Sequence, residues 1–275
     1  MTCNAKHLLL VVILSSGAVY AQEPSLLMRY FFEPESSQQV SVTSESEINL
    51  GSVAMSERRE QIMLVSPTLS RGGDTSLGHQ ISRQTLWING DGVEVNFDTA
   101  SIDAPTSPVR LSQLSESVGH RFHLEVDGRG QSSLTDDGDL PASIVEMSLI
   151  ALPVLPEERV GIGDVWETVS TVRLSPTEQM LVSRRYYLNS VNDGVAVATY
   201  ELATSGFAIV GTEQIEGAPQ RLARGELRVT MEGAGRFLFD LQRGRLMSLS
   251  ESTRLEGSMN GLPMTVSTDW AVVIE

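Results

Sequence analysis

An alternation of apolar and polar positions runs through most of residues 22–275 and predicts a chain built mainly of β-strands. Gly, Pro, Asn, Asp and Ser separate these segments. The predicted strands cover residues 26–32, 38–50, 60–65, 86–88, 93–97, 121–126, 186–191, 195–202, 237–241, 245–249 and 264–274. In the strand at 237–241, Phe237 and Phe239 share a face and Asp240 lies on the other. This pattern is typical of a sheet that is packed on one side and wet on the other.

Short turn sequences join neighbouring strands and predict hairpins. They are Asn89-Gly90-Asp91-Gly92, Asp127-Gly128-Arg129-Gly130, Asn192-Asp193-Gly194 and Gln242-Arg243-Gly244. Regularly spaced hairpins favour antiparallel pairing over a parallel α/β sheet. We therefore predict a mainly β fold. It is a large curved antiparallel sheet (a meander, half-barrel or sandwich-like) with one or two short packing helices.

Two segments show helical rather than strand periodicity. Residues 108–118 begin after Ser107, a suitable N-cap, and end at Gly119. Residues 141–152 lie between two prolines and are apolar nearly all round, which is typical of a helix buried on both sides. A curved sheet covered by such a helix can enclose a greasy ligand, and we predict that Ile144, Met147 and Ile150 contact it. The alternative is that this helix only fills the core.

Residues 1–21 have the pattern of a secretory signal peptide. Lys6 and His7 precede the apolar run at 8–14, and small residues lead to a cleavage point after Ala21. The run is far shorter than the roughly 20 residues of a membrane-spanning helix, so we expect no integral membrane segment after cleavage. We predict a periplasmic or secreted protein. Residues 22–275 then form a single β-rich domain, or two sub-halves at 22–152 and 157–275.

Removal of this leader also removes several kinds of chemistry. Cys3 is the only cysteine and Lys6 the only lysine. The exported chain keeps 19 arginines against 35 acidic residues, a formal net charge of −16, which disfavours nucleic acid and anionic membrane surfaces. Without Cys or Lys it lacks a thiolate nucleophile, Cys-ligated zinc, an iron–sulfur cluster, a Schiff base and a P-loop lysine. We predict no cofactor.

Local motifs give no catalytic or metal site. On a strand, His120 and His123 point to opposite faces, so we predict polar surface positions and not metal ligands. The acidic run at 136–139 lacks the alternation of a calcium loop and is predicted to be a solvated turn. The sequence Arg184-Arg185-Tyr186-Tyr187 places one Arg–Tyr pair on each face of a strand, where we favour stacking across the sheet over ligand binding.

Two longer motifs carry a family resemblance. Leu152-Pro153-Val154-Leu155-Pro156 is followed by Val160-Gly161-Ile162-Gly163-Asp164-Val165-Trp166, and Gly233-Ala234-Gly235-Arg236-Phe237-Leu238-Phe239-Asp240 by Gly244-Arg245-Leu246. Together with the opening Leu26-Leu27-Met28-Arg29-Tyr30-Phe31, they resemble a family of exported bacterial proteins classed only as a domain of unknown function. The resemblance implies a secreted, strand-rich fold. It brings no established activity, so it assigns no catalytic residue.

These observations favour a non-catalytic exported binding or envelope-associated protein. Its most concrete form holds a hydrophobic or amphiphilic ligand between sheet and helix, and an envelope protein is the other expected kind of partner. Two alternatives remain. One is a hydrolase that uses paired carboxylates, since Asp and Glu are plentiful although no local pattern selects a pair. The other is a structural partner in a cell-envelope complex.

Overall fold

The computed structural model describes residues 25–34, 36–69, 74–101, 114, 115, 117–136, 152–173, 179–204, 208–211, 226–259 and 261–275. Thirteen strands in these ranges form one antiparallel sheet. They are β1 (Gln38–Leu50), β2 (Val53–Leu69), β3 (Thr75–Gly90), β4 (Val93–Asp98), β5 (Arg121–Val126), β6 (Ser132–Asp136), β7 (Val165–Arg173), β8 (Gln179–Asn192), β9 (Val195–Thr204), β10 (Ala208–Gly211), β11 (Glu226–Asp240), β12 (Arg245–Met259) and β13 (Leu262–Ile274).

The sheet is open, and its strand order is β6-β5-β3-β2-β1-β13-β12-β11-β9-β8-β7. Strand β4 also pairs with β3, and β10 with β11. The pairing of β1 with β13 joins strands from the beginning and the end of the chain, from Val40 opposite Ile274 to Leu50 opposite Met264. Strands on both sides of residues 152–156 therefore share one sheet. The predicted fold class, a mainly β protein with a large antiparallel sheet, is confirmed.

The predicted hairpins are present, and their turns explain them. Asp91 and Gly92 have φ angles of 46° and 77° between β3 and β4, and Asp193 and Gly194 have 49° and 80° between β8 and β9. Two successive positive φ values define the turn whose twist suits a two-residue hairpin, and Asp-Gly adopts it readily. The hairpin of β1 and β2 around Gly51 was not predicted, because its turn lacks such a pair.

Residues 26–32 differ from the prediction, because they form an extended segment outside the strands of the sheet. We call residues 25–32 the N-terminal segment. The backbone N–H of Tyr30 donates to Gly128 at 2.8 Å, and that of Phe31 donates to Gly244 at 2.7 Å. Both acceptors lie in hairpin turns, so the segment is tied to the ends of two hairpins. Alternating apolar residues suit such a segment as well as they suit a strand.

The core lies on one face of the sheet, which we call the inner face. Residues 152–160, the connecting segment, cover part of it together with the N-terminal segment. Met28 and Leu155, one from each segment, are fully buried. Tyr30 packs edge-on against Phe239 with ring centroids 5.2 Å apart. The Trp166 indole N–H donates to the Val154 carbonyl at 2.9 Å, which fixes the connecting segment to the edge of the sheet.

The helical predictions fall mostly outside the described residues. Within 108–118, Leu114, Ser115 and Ser117 are helical, and Gly119 follows with a φ of 88°, as predicted for the end of the helix. Residues 141–151 and the leader at 1–21 lie outside the described ranges. In the described part of the chain, no helix has the length and apolar character needed to cross a membrane.

His79 is a buried histidine at the covered end of the inner face. Its ring stacks on Phe122 with centroids 4.9 Å apart, and its Nδ1 lies 3.1 Å from the Leu77 carbonyl. Burial disfavours the imidazolium form and lowers the pKa of His79 to about 4, against an ordinary value of 6.5. The bond to Leu77 opposes this shift, and the nearby His123 adds to it. His79 is therefore neutral in the folded protein near pH 7.

We expect His79 to make folding stability depend on pH. Between pH 6.5 and 4 the unfolded chain binds a proton that the folded chain does not. The free energy of unfolding should therefore fall as the pH drops through this window, by about 3 kcal/mol in total, and the contribution is fully present above pH 6.5. Urea unfolding at several pH values measures it. His79→Gln should flatten the dependence and the control His120→Gln should not. Equal profiles for wild type and His79→Gln would contradict the expectation.

Candidate functional site

A row of side chains crosses the inner face on ten neighbouring strands, and we call it the central belt. Each member lies directly opposite the next in the strand register. From β7 to β4 the members are Trp166, Tyr186, Tyr200, Gly235, Glu251, Trp270, Ser44, Arg59, Leu86 and Phe97. The belt mixes large aromatic rings with one glycine and two charged residues.

Stacked rings form the part of the belt nearest to β7. Trp166 stacks on Tyr186 with centroids 5.0 Å apart and planes inclined by 8°. Tyr186 contacts Tyr200 at 5.1 Å and meets Phe237 edge-on at 6.2 Å. Such pairs add to the stabilisation that burial alone provides. The rings therefore hold β7, β8 and β9 together along the inner face.

Gly235 gives Tyr200 the space to reach across a strand. A Cβ atom added at Gly235 would lie 2.2 Å from Cζ of Tyr200, so the tyrosine ring lies directly over the backbone of β11. From there its hydroxyl donates to Oε2 of Glu251 on β12 at 2.7 Å. The Tyr200 ring from β9 therefore occupies the space that a side chain at position 235 of β11 would otherwise fill.

Glu251 is a buried carboxylate with three partners. Besides the bond from Tyr200, its Oε1 accepts the indole N–H of Trp270 at 2.9 Å, and Nε of Arg184 lies 3.7 Å from its Oε2. Nη1 of Arg184 also donates to the Ser170 hydroxyl at 2.9 Å. Burying a carboxylate is costly unless it is paired and hydrogen-bonded, and here it is both. The network links β8, β9, β12 and β13.

The same carboxylate keeps Tyr200 protonated. Burial raises the pKa of the Tyr200 phenol far above its ordinary value, and the adjacent Glu251 carboxylate raises it further. Both effects favour the protonated phenol, which is the form that donates the hydrogen bond to Glu251. The arrangement holds a charge in place, and it offers neither a nucleophile nor a proton donor of ordinary acidity.

A second row of side chains lies two inward-facing positions further along each strand than the central belt, on the side away from the N-terminal segment. We call it the upper row. Each member lies directly opposite the next in the strand register, except that Met231 is joined to Thr204 by a hydrogen bond from its backbone N–H to the threonine hydroxyl. All members but Thr204 are apolar. The members are Val182, Thr204, Met231, Leu255, Val266, Ile48 and Met55. Val182 is fully buried, whereas Met231, Leu255, Val266, Ile48 and Met55 are only partly buried. All thirteen described strands belong to the one sheet, so no second sheet of described strands packs on this row.

Two of the hollows in the described part of the chain differ in kind. A cavity of about 40 Å³ lies at the covered end of the inner face, between Leu152, Val40 and His79, with room for a few waters but not for a lipid chain. A groove of about 830 Å³ crosses six strands at the level of Gly233 and includes the outward-facing, charged Glu167. No member of the central belt or the upper row lines this groove, which is bordered by charged side chains and by apolar ones such as Leu202 and Val169.

The sequence-predicted site residues have three outcomes. Ile144, Met147 and Ile150 lie outside the described residues, and so does most of the acidic run at 136–139. The Arg–Tyr pairs are confirmed on opposite faces, with Arg184 beside the buried Tyr186 and the Arg185 guanidinium 5.7 Å from the Tyr187 ring centroid. Among the residues that the structure describes, no group of three or more His, Cys, Asp or Glu could hold a metal ion.

Sequence reasoning missed the network around Glu251. One signal was available, since Glu251 occupies an inward position between Leu249 and Leu255 in an alternating strand. A carboxylate in such a position needs partners when it is buried. The identity of those partners depends on the register of four strands, and this register is not written in any local motif.

Comparison with known proteins shows the fold. No protein-family model matches the chain, and no curated protein matches it. A solved structure described as "Lipid-protein interactions in lipovitellin" is similar over 89% of this chain, with a TM-score of 0.52 and 10% identity. This chain spans about a quarter, 25%, of that chain's length. An outer membrane channel from Pseudomonas putida F1 aligns over 90% of this chain and 97% of its own, with 10% identity and a TM-score of 0.35, too low to support an argument. The described residues thus place the protein in the mainly β class, as a single open antiparallel sheet with one packed face.

We predict that Gly235→Ala destabilises the protein. The added methyl group would displace the Tyr200 ring and its bond to Glu251, so the free energy of unfolding should fall by about 2 kcal/mol or more. The control is Ala234→Ser, because Ala234 is the next residue and is exposed on the opposite face. Urea unfolding measures both. Similar midpoints for the two variants would show that the ring over Gly235 does not matter for stability.

We also predict that the Tyr200 hydroxyl itself is needed. Tyr200→Phe removes one donor from a buried carboxylate, which should cost about 1–3 kcal/mol. Tyr187→Phe is the matched control, because the Tyr187 hydroxyl lies 3.5 Å from the exposed Glu201 and should contribute less than about 0.5 kcal/mol. Thermal unfolding compares the two losses. If Tyr200→Phe is as stable as Tyr187→Phe, Glu251 does not depend on that bond.

Proposed function

We propose that this protein binds a hydrophobic or amphiphilic ligand on the inner face of its open sheet and does not transform it chemically. The observation that carries this proposal is the upper row, an apolar stripe that crosses several neighbouring strands and is only partly buried. At the other end of the same face, the two extended segments bury Met28, Leu155 and their neighbours completely. A partly exposed apolar surface of this kind is characteristic of a binding site, and within it Met231 and Leu255 also pack against the core.

In our proposal the cover of this surface is the apolar helix predicted from the sequence at 141–152. Of that segment the structure describes Leu152, which lies beside Val40 and Leu77 on the inner face. In this proposal Ile144, Met147 and Ile150 contact the ligand from the helix side, and Met231 and Leu255 contact it from the sheet.

The fold comparison supports the same reading. Lipovitellin, whose structure is described in terms of lipid–protein interactions, has a similar fold over most of this chain. This chain corresponds to only 25% of the lipovitellin chain, and the identity of 10% carries over no residue. What is shared is an antiparallel sheet architecture, and a lipid-like ligand for this protein is our inference from the upper row.

We propose that binding takes place after export, in the periplasm or outside the cell. The support is the leader pattern of residues 1–21, whose cleavage leaves a chain without cysteine or lysine. The net charge of −16 disfavours contact with anionic lipid surfaces, so an uncharged or zwitterionic ligand suits the chain better than an anionic one. Membership in the family of exported domains of unknown function also remains a proposal, supported by the two motifs quoted above.

The buried carboxylate of the inner face does not support the hydrolase alternative. Glu251 is held by Tyr200, Trp270 and Arg184, so its charge is already neutralised. The inward-facing Glu57 lies three strands away in the register, about 14 Å at the usual strand spacing, and is ion-paired with Arg59 at 2.6 Å. A glycosidase pair needs two carboxylates within about 5–10 Å on either side of a substrate.

Ligand binding can be tested with the exported chain, residues 22–275. After mild purification, native mass spectrometry and organic extraction should reveal a bound apolar molecule. The uncharged probe N-phenyl-1-naphthylamine should bind saturably to the emptied protein. Leu255→Glu should weaken probe binding at least about tenfold, because it places a carboxylate in the apolar row. Met147→Glu should act in the same direction.

The matched control is Leu64→Glu, since Leu64 is 40% exposed on the outer face. Urea unfolding checks that each variant is folded, and Met231→Ser serves if Leu255→Glu is not. The proposal is rejected if no apolar molecule is extracted and probe fluorescence rises without saturation. It is also rejected if Leu64→Glu and Leu255→Glu bind the probe equally well.

A further inference from the structure

Among the described strands, the edge at β7 has few of the features that usually keep strand edges apart. Strand β7 is nine residues long and pairs with β8 without a register shift. The other end of the sheet finishes in the short strands β6 and β4, and β6 has a register shift against β5. Natural edges are blunted by short strands, bulges, proline or charged side chains. Strand β7 contains no proline, its charged residues are Glu167 and Arg173, and five of its nine residues are β-branched.

The hydrogen-bonding pattern identifies which backbone groups of β7 are free to pair. The Leu188 N–H on the β8 side donates to Asp164 at 3.1 Å, and the register places Val165 opposite Tyr187. In an antiparallel ladder the bonded pairs alternate, so the even-numbered residues of β7 face β8. The odd-numbered residues therefore direct their N–H and C=O groups toward the open edge. They are residues 165, 167, 169, 171 and 173.

The side chains near this edge are open to solvent. Val169 is 66% exposed and Val165 is 41% exposed, although both are apolar. The Glu167 side chain is 70% exposed, and its pairing with Arg185 at 3.5 Å is of the weak surface kind. An exposed row of apolar residues along a straight edge strand is a template for pairing with another strand.

We propose that β7 pairs with β7 of a second copy of this chain, antiparallel and centred on Ser170. In this register position 167, a glutamate, is opposite position 173 of the second copy, an arginine, and the two-fold symmetry makes this pair of positions occur twice. Opposite charges at directly opposed positions stabilise strand pairing. Val169 lies opposite Thr171 of the second copy, so the free odd-numbered residues meet one another, as the ladder requires.

Charge selects this register over its neighbour. Centring on Val169 also brings odd-numbered residues together, but it places position 167 opposite position 171 and position 165 opposite position 173, so no opposite charges are directly opposed between the two copies. A symmetric interface in which each residue contacts its counterpart is the commonest arrangement of soluble dimers. The pairing extends the sheet in its own plane, so it leaves the inner face and the upper row of each copy open.

Sedimentation velocity of the full exported chain over a range of concentrations tests the proposal. The wild type should show a concentration-dependent monomer–dimer equilibrium. Val169→Pro should weaken dimerisation by about tenfold or more, because it removes an edge-facing N–H but no bond to β8. Val169→Thr keeps that N–H and is the matched control. Circular dichroism and urea unfolding confirm that Val169→Pro is folded.

Charge reversal tests the register and does not depend on the proline variant. Glu167→Arg and Arg173→Glu should each weaken the dimer by about tenfold, because each puts like charges opposite one another twice. The double variant should restore wild-type dimerisation. Glu232→Arg, on an exposed outward position of β11, controls for the change in net charge. A chain that is monomeric at every concentration overturns the proposal. A dimer that Val169→Pro leaves intact, or a double variant that is not restored, overturns it as well.

Discussion

The hydrogen bond from Tyr200 to Glu251, made across the backbone of β11, is the interaction on which the middle of this sheet depends. It requires a glycine at 235, since any Cβ there would occupy the position of the ring. It also places a carboxylate where three donors from three other strands converge, so that the cost of burial is offset. The described sheet does not close, so its two edge strands do not hold each other in place. The hydrogen bond from Tyr200 to Glu251 instead ties strands together in the middle of the sheet.

The central belt also divides the inner face into two unlike halves. On one side the N-terminal and connecting segments fill the space so well that only about 40 Å³ remains beside His79. On the other side the upper row continues the apolar pattern, and all of its members except Val182 are only partly buried. The same strands thus supply a packed core and a partly exposed apolar row, with a buried polar network between the two.

The strands and hairpins could be predicted from the sequence because their determinants are local. Alternation fixes which face each residue takes, and Asp-Gly at 91–92 and 193–194 supplies the positive φ angles that the turns need. The N-terminal segment was wrongly predicted as a strand, because an alternation of apolar and polar residues does not show which backbone groups an extended segment will hydrogen-bond. The network of Glu251 could not be predicted for a related reason. Its members lie between 19 and 67 positions from Glu251 in the sequence, and only the strand register brings them together.

The upper row and the edge at β7 have a common origin in the topology of the sheet. The strand order begins with β6 and ends with β7, and these two strands differ in length, five residues against nine. Among the described strands β6 and β7 do not pair with each other, so the described sheet stays open. In our proposals its inner face takes a small apolar molecule, which needs surface without directional bonds, and its edge at β7 takes another extended strand, which needs backbone partners.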